Sequence, residues 1–253
     1  MSPDGASAAQ LAARRAAIHA RIADACRRAD RDAGAVTLVA VTKTHTTARL
    51  AALHALGERV FGESRLQEAE PKQDALQAQL PADAPIDWHF IAPLQSNKVR
   101  AIAQRFSTVH AIDRDKIVGR LDAAARAAAR RVDGFLQVNV GEEPSKYGYA
   151  PATFVDHVAA RHAALARASD DPASPGLQLV GLMALPPYED DPAAARRWFA
   201  RLRALRDDLR GRWGDGWPGW LSMGTSHDFE IAIEEGATHV RVGTDLLGPR
   251  ETA

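Results

Sequence analysis

The chain has 253 residues, a length that one α/β barrel domain commonly takes. Its 32 basic and 32 acidic residues balance, so neither nucleic acid nor an anionic membrane is an expected partner. The single cysteine, Cys26, excludes an internal disulfide and a cysteine-based zinc cluster. Because the N-terminus lacks a signal-peptide pattern and no apolar run approaches the roughly 20 residues of a membrane helix, we expect a cytoplasmic protein. We expect one domain over residues 1–253, with residues 1–7 flexible.

Strand-like and helix-like segments alternate along the chain. Residues 8–31 have an amphipathic helical pattern, in which Leu11, Ile18, Ile22 and Cys26 form an apolar stripe. Short apolar runs predict eight strands, at 36–42, 59–62, 87–91, 108–112, 135–140, 177–183, 220–223 and 239–243. Helical patterns fill the gaps, and the clearest are at 66–80, 116–131, 152–167, 192–212 and 229–235, with another that begins near Ala48.

This alternation predicts an α/β fold with a parallel sheet and right-handed crossovers. Eight units in a chain of this length fit a closed (β/α)8 TIM-type barrel better than an open sheet. An open doubly wound sheet normally carries a Gly-x-Gly-x-x-Gly turn after its first strand, whereas the first turn here, residues 42–45, contains no glycine. We therefore predict a single barrel, and we expect the additional N-terminal helix to cover part of its wall.

Lys43 follows the first predicted strand directly, at the end of an apolar run that reads as a strand buried on both faces. The carboxyl ends of the strands are where barrels of this kind keep their chemistry. Partial burial would lower the pKa of the Lys43 amine and favour the neutral form, which condenses with an aldehyde to a Schiff base. A surface lysine that merely ends a strand is the alternative.

The segments that follow the seventh and eighth strands indicate an anion site. Loops at these two positions form the usual phosphate site of the barrel, built from backbone N–H groups and hydroxyls. Ser226, Gly243 and Thr244 supply such groups, and Gly243 leaves room for an anion beside the backbone. Alternatively, Thr225 or Ser226 is a plain helix cap and Gly243 a tight turn.

Alternation along the eighth strand places Arg241 and Gly243 on one face and Val240 and Val242 on the other. An arginine in the barrel mouth needs an acceptor, because a guanidinium does not lose its proton. A pyridine nitrogen and a structural carboxylate are the two candidates. A lysine that captures an aldehyde, a phosphate site and this arginine together describe a pocket for pyridoxal 5′-phosphate.

Eight ordered segments carry a resemblance to a known family, at 38–43, 61–63, 88–91, 94–98, 145–148, 181–184, 221–224 and 240–244. Through them the chain resembles, over almost its whole length, the YggS/PROSC family of pyridoxal phosphate homeostasis proteins. The resemblance implies a fold similar to the barrel domain of alanine racemase and a cytoplasmic location. It also implies a cofactor held as a Schiff base without established turnover, and a role in vitamin B6 homeostasis.

The resemblance also assigns roles to individual residues. The implied cofactor-binding residues are Lys43 for the Schiff base, Ser226, Gly243 and Thr244 for the phosphate, Arg241 for the pyridine nitrogen, and Ser222 and Met223 for the pocket lining. Ser64 stands where the family usually has an asparagine near the cofactor, and we include it as a shorter substitute. Asp245 replaces a small apolar residue, and an acid there would sit uneasily beside a phosphate dianion.

Three functions remain open from the sequence. The first is a binding protein for cofactor homeostasis, with pyridoxal phosphate and apo pyridoxal phosphate enzymes as partners and a monomeric state. The second is an amino-acid racemase or related fold-type III enzyme, which needs an acid or base opposite the lysine. The chain has three tyrosines for that role, Tyr147, Tyr149 and Tyr188, and an arginine at the ring nitrogen would weaken the electron sink. The third is a cofactor-free aldolase, which leaves Arg241 without a role.

No metal site is expected. His89 and His110 lie in separate predicted strands, and no carboxylate stands at ligand spacing beside them in sequence. We therefore expect neither residue to bind a metal ion.

Overall fold

The structure, a computed structural model, describes residues 8–166 and 174–249. Eight parallel strands close into a barrel in chain order, and β1 pairs with both β2 and β8. The strands are β1 Thr37–Val41, β2 Val60–Glu63, β3 Asp87–Phe90, β4 Thr108–Ile112, β5 Arg131–Gln137, β6 Gly176–Met183, β7 Trp220–Thr225 and β8 His239–Val242. The predicted TIM-type barrel is confirmed.

Helices surround the barrel on its outer face. They are α1 Ala8–Arg28, α2 Thr47–Ala55, α3 Leu66–Gln79, α4 Val99–Arg105, α5 Asp115–Ala127, α6 Phe154–Arg161, α7 Ala163–Ala166, α8 Arg196–Trp213, α9 Phe229–Glu234 and α10 Thr244–Leu247. Short 3-10 turns occur at Ala33–Ala35, Pro151–Thr153 and Pro192–Ala195. Within residues 8–166 and 174–249, no helix is both long and apolar enough to cross a membrane.

The N-terminal helix completes the barrel wall beside β8. Helix α10, which follows β8, has only four residues, and α1 packs against α9 and α10. The predicted apolar stripe, Leu11, Ile18, Ile22 and Cys26, is buried in this contact. Burial of a large aliphatic side chain stabilises a fold by about 1.5–3 kcal/mol, so α1 is an integral part of the barrel.

Several predicted boundaries were wrong. The helix predicted at 116–131 ends at Ala127, because Ala129 has a left-handed φ of 50°. Strand β5 starts at Arg131 instead of residue 135, since an ion pair of 2.9 Å between Arg131 and Asp133 accommodates charges in a strand. The helix predicted at 8–31 ends at Arg28, and the one at 152–167 is divided at His162. Residues 1–7 and residue 167 lie outside the described residues.

The interior of the barrel is filled by side chains of mixed polarity. Aromatic rings of Phe135 and Trp220 lie beside three buried histidines, His89, His110 and His239. Strands β6 and β7 approach so closely that a Cβ at Gly181 would lie 2.0 Å from the Trp220 carbonyl oxygen. A glycine is therefore required there, and side chains fill the space between the strands.

Candidate functional site

A cavity of about 340 Å³ opens at the carboxyl ends of the strands. This volume lies within the usual range for small-molecule sites. The cavity is lined by residues in or just after β1, β3, β6, β7 and β8: Val41, Lys43, His45, Ile91, Met183, Leu185, Thr225, Ser226, His227, Arg241, Gly243 and Thr244. The structure thus brings together five predicted residues that are far apart in sequence: Lys43, Ser226, Arg241, Gly243 and Thr244.

A larger groove, of about 780 Å³, lies at the opposite end of the barrel. It runs between the carboxyl ends of α3 and α4, beside Ile86 and Trp88 at the start of β3. Apolar and amide side chains dominate its wall, and Arg105, its cation on α4, is already paired with Asp74. The smaller cavity is the better candidate site because it combines an amine, hydroxyls and a buried guanidinium.

Lys43 lies two residues past the end of β1 and is half-buried. The preceding residue, Thr42, still pairs with β2 through its N–H, which donates to the Gly62 carbonyl at 3.0 Å. The following residue, Thr44, has a φ of 67°, a left-handed conformation that is costly for a β-branched residue. The backbone is thus held on both sides of Lys43, which fixes where its side chain emerges.

A buried ionic cluster beneath this turn holds Thr44 in its strained conformation. The Thr44 N–H donates to Glu68, and Lys72 donates to Glu68 at 2.6 Å, to Glu63 at 2.9 Å and to the Thr42 carbonyl at 2.9 Å. Burial raises the pKa of Glu63, and Lys72 opposes that shift. Burial also acts to raise the pKa of Glu68, but hydrogen bonds from Lys72 and Thr44 outweigh it and lower the pKa.

The loops after β7 and β8 meet at the side of the cavity opposite β3. The Gly243 N–H donates to the Ser226 hydroxyl at 3.4 Å, and Thr244 is exposed beside them. A Cβ at Gly243 would come within 3.3 Å of the Val41 side chain, which also lines the cavity. Hydroxyl and backbone N–H donors therefore converge on a space that a larger residue at 243 would narrow.

The alternative interpretation, in which Thr225 or Ser226 is a plain cap of α9, was wrong. Asp228 occupies the N-cap position without a side-chain capping bond. Its carboxylate instead accepts from the Thr225 N–H at 2.7 Å and from the Thr225 hydroxyl at 3.1 Å. Gly224, with a φ of 92°, makes the preceding turn, where a Cβ would lie 2.6 Å from Ala232. This arrangement leaves the Ser226 hydroxyl facing the cavity.

Arg241 forms the floor of the cavity and is 5% exposed. Its Nη1 donates to the Ser222 hydroxyl at 2.6 Å and its Nη2 to the Ala184 carbonyl at 3.0 Å. Within the described residues no carboxylate forms an ion pair with it. Burial lowers the pKa of Arg241 to about 10, against the field of Asp228, so the guanidinium stays charged at neutral pH. A cation with neutral partners thus faces the ligand space.

Three predicted residues lie outside the cavity wall. Ser222 is fully buried beneath Arg241, and it contacts the cavity only through that residue. Met223 points to the opposite side of β7 and packs in the core beneath the helices, because neighbours in a strand face opposite sides. Ser64, half-buried, directly follows β2 but does not line the cavity.

The sequence analysis missed seven residues that line the cavity: Val41, His45, Ile91, Met183, Leu185, Thr225 and His227. Ile91 and Met183 stand at the carboxyl ends of β3 and β6, so their position in the barrel was a usable signal. His45 and His227 each lie within two residues of a predicted site residue. Leu185 is half exposed, and no sequence pattern points to it.

Comparison with known proteins places the chain in a family. The model of the alanine racemase N-terminal domain matches residues 14–251. The pyridoxal phosphate homeostasis protein of Pseudomonas aeruginosa is 45% identical to this chain, and the match covers 93% of this chain and 94% of the relative. The pyridoxal phosphate homeostasis protein of Aquifex aeolicus is 36% identical, and the match covers 91% of this chain and 94% of the relative. The solved structure of PipY from Synechococcus elongatus, with pyridoxal phosphate bound, has a TM-score of 0.76 at 33% identity, and the match covers 94% of this chain and 100% of PipY. The chain therefore belongs to the family of pyridoxal phosphate homeostasis proteins, which is built on the alanine racemase N-terminal domain.

Proposed function

We propose that the protein binds pyridoxal 5′-phosphate as a Schiff base on Lys43 and serves in pyridoxal phosphate homeostasis, without turnover of an amino-acid substrate. One observation carries the proposal: an amine, a set of anion donors and a buried guanidinium line the same cavity. The names of the relatives and the cofactor in the PipY structure support it.

The chemistry of the cavity fits this cofactor at three points. Lys43 supplies the nucleophilic amine for the aldehyde, from a backbone that Glu68 holds in place. The Ser226 hydroxyl and the Gly243 N–H are donors of the kind that phosphate oxygens require. Val41, Ile91 and Met183 give the cavity apolar walls, which suit the faces of an aromatic ring.

Arg241 also fits this cofactor, in addition to the three features above. Its hydrogen-bond partners are neutral, and no carboxylate within the described part of the chain forms an ion pair with the guanidinium. This favours a ring nitrogen over a structural carboxylate as its further acceptor. A cation at that position disfavours protonation of the ring, so the bound cofactor would be a weak electron sink. Arg241 would therefore hold the cofactor without promoting carbanion chemistry.

The tyrosines argue against a racemase. The Tyr149 hydroxyl donates to Asp115 at 2.9 Å, and burial together with this bond raises the Tyr149 pKa. Tyr147 is 61% exposed and Tyr188 74% exposed, the latter stacked on the rim residue His227. All three belong to the described part, and none lines the cavity opposite Lys43. The chain itself thus offers no tyrosine as the second acid or base of a racemase.

The experiment is a titration of the purified protein with pyridoxal phosphate, followed by absorbance and by reduction with borohydride. We expect stoichiometric uptake, a visible Schiff-base band and a mass adduct at Lys43 after reduction. Lys43→Ala should abolish all three, whereas Lys98→Ala, at the start of α4, should not change them. An unchanged reducible adduct in Lys43→Ala would overturn the assignment.

A further inference from the structure

A line of hydrogen bonds runs through the barrel interior from the cavity floor to the opposite end. Arg241 Nη1 donates to Ser222 Oγ at 2.6 Å, and Ser222 Oγ lies 2.7 Å from His110 Nδ1. His110 Nε2 lies 2.9 Å from His89 Nδ1, and His89 Nε2 lies 3.1 Å from the Asp87 carboxylate. These five residues come from β8, β7, β4 and β3, so only closure of the barrel brings them together.

The charges at the two ends fix the direction of the bonds. A guanidinium only donates and a carboxylate only accepts, so Arg241 starts the line and Asp87 ends it. With both imidazoles neutral, Ser222 accepts from Arg241 and donates to His110 Nδ1. His110 and His89 then each carry their hydrogen on Nε2 and donate to the next residue. In this arrangement each hydrogen bond of the line has one donor hydrogen and one acceptor lone pair.

The surroundings of His110 keep its ring neutral and in place. The His110 ring is fully buried and stacks on Phe135, with ring centroids 4.7 Å apart. Burial holds the His110 pKa well below its ordinary value, and positive charge on His89, His239 or Arg241 lowers it further. At the far end, the Ser107 hydroxyl donates to the second oxygen of Asp87. The line is therefore a fixed element of the interior.

We propose that Ser222, His110, His89 and Asp87 are positioning residues, which hold Arg241 against the ring nitrogen of the bound cofactor through this polarised line. The proposal rests on the proposed function for the role of Arg241. Because Ser222 and the Ala184 carbonyl occupy one N–H of each terminal nitrogen, the remaining N–H groups are left for an acceptor in the cavity. The distant Asp87 thereby influences the cofactor without touching it.

The first test needs no cofactor. Nitrogen-15 NMR of the histidine side chains in the apoprotein at neutral pH reports which ring nitrogen carries the hydrogen. We expect the Nε2–H tautomer for both His89 and His110. A hydrogen on Nδ1 of His110 would reverse the line and overturn the proposal, whether or not the protein binds pyridoxal phosphate.

The second test asks whether Asp87 acts through the line of hydrogen bonds or only as a negative charge in the barrel interior. Asp87→Asn removes the terminal charge, and Asp133→Asn is a matched control, because Asp133 is a nearby carboxylate that pairs with Arg131 outside the line. We expect Asp87→Asn and Ser222→Ala to weaken pyridoxal phosphate binding about threefold to tenfold, the range of remote coupling. Both should also move the ring-nitrogen NMR signal of labelled cofactor toward the protonated position, and Asp133→Asn should not.

The outcomes distinguish this proposal from the proposed function. If Lys43→Ala abolishes the adduct while Asp87→Asn leaves affinity and ring-nitrogen signal unchanged, the cofactor site stands and the positioning role is overturned. If Asp133→Asn changes the affinity and the ring-nitrogen signal as much as Asp87→Asn does, the effect comes from charge in the barrel interior in general. The positioning role of the line is then also overturned. Thermal unfolding of each variant checks that the fold is retained. If Ser222→Ala does not fold, Asp87→Asn and the tautomer measurement test the proposal without it.

Discussion

Arg21 on α1 donates to the Asp245 carboxylate on α10 at 2.9 Å, and it also donates to Glu230 on α9 at 3.1 Å. Asp245 directly follows Thr244, a predicted phosphate residue, where the family resemblance leads us to expect a small apolar side chain. The ion pair offsets the negative charge of Asp245 and directs its carboxylate toward α1. An acid beside the proposed phosphate position is thereby made compatible with anion binding.

Arg21→Ala should therefore weaken the binding of pyridoxal phosphate. Both partners are partly exposed, so we expect a loss of about two- to fivefold, in line with surface ion pairs worth up to about 1 kcal/mol. The double variant Arg21→Ala/Asp245→Ala should regain wild-type affinity, because the released acid is gone. Fluorescence titrations at low and high salt measure both effects, and high salt should reduce the difference. A double variant as weak as the single one would contradict this account.

Ser226→Ala and Gly243→Val should reduce the affinity for pyridoxal phosphate while the fold is retained. Loss of one charge-assisted hydrogen bond is worth about 1.5–3 kcal/mol, roughly ten- to a hundredfold in affinity. Pyridoxal, which lacks the phosphate, is the matched ligand control, and Ser226→Ala should not change its binding. Equal losses for both ligands would place the phosphate away from Ser226.

The barrel and several residues that line its candidate site were predictable because both follow from periodicity. Strand–helix alternation predicted eight units, and position at strand ends singled out Lys43 and Gly243. Period-two alternation also oriented Arg241 correctly towards the cavity. The same rule, applied to β7, would have separated Ser222 from Met223, which the family motif had grouped together.

Contacts that depend on barrel closure were not predictable. His89 and His110 were considered only as metal ligands and lie in different strands, yet their ring nitrogens are 2.9 Å apart. Lys72 is on α3, where a lysine normally indicates a solvated face, but it is buried between Glu63 and Glu68. Such partners are set by the stagger of neighbouring strands and helices, which local sequence patterns do not encode.

The attachment of α1 should be sensitive to acid. Glu58, buried before β2, accepts from Arg15 on α1 at 2.7 Å and also contacts His19. Burial acts to raise its pKa, but the His19 and Arg15 contacts outweigh this and lower it. Stability from a lowered carboxylate pKa is present above the unfolded value and is lost as pH falls through the folded value.

Glu58→Gln should therefore destabilise the protein by about 1–3 kcal/mol at neutral pH, as expected for charged hydrogen bonds. The difference from wild type should shrink as pH falls from the ordinary glutamate pKa through the lowered pKa of folded Glu58, because below that value neither folded protein carries the charge. Denaturant unfolding over a pH series measures this. A difference that is constant with pH would assign the loss to packing.

The wild-type holoprotein should not turn over amino acids. No tyrosine opposes Lys43 in the cavity, and Arg241 disfavours protonation of the ring, so Cα proton abstraction lacks both a second acid or base and a strong electron sink. Incubation with each common amino acid in deuterated water, followed by mass spectrometry, detects any Cα exchange. Exchange with many turnovers on one amino acid would replace the homeostasis proposal by an enzyme.

Arg241→Glu tests the contact with the ring nitrogen from the opposite direction. A carboxylate at this position should favour a protonated ring nitrogen, strengthen the electron sink and raise whatever trace of Cα exchange the wild type shows. Arg241→Gln is the matched control, because it removes the positive charge without supplying an anion. Both variants disturb the bonds to Ser222 and the Ala184 carbonyl, so a general loss of order affects them alike. Exchange that rises only in Arg241→Glu would assign the effect to the ring nitrogen, whereas equal exchange in the two variants would show that Arg241 does not contact it.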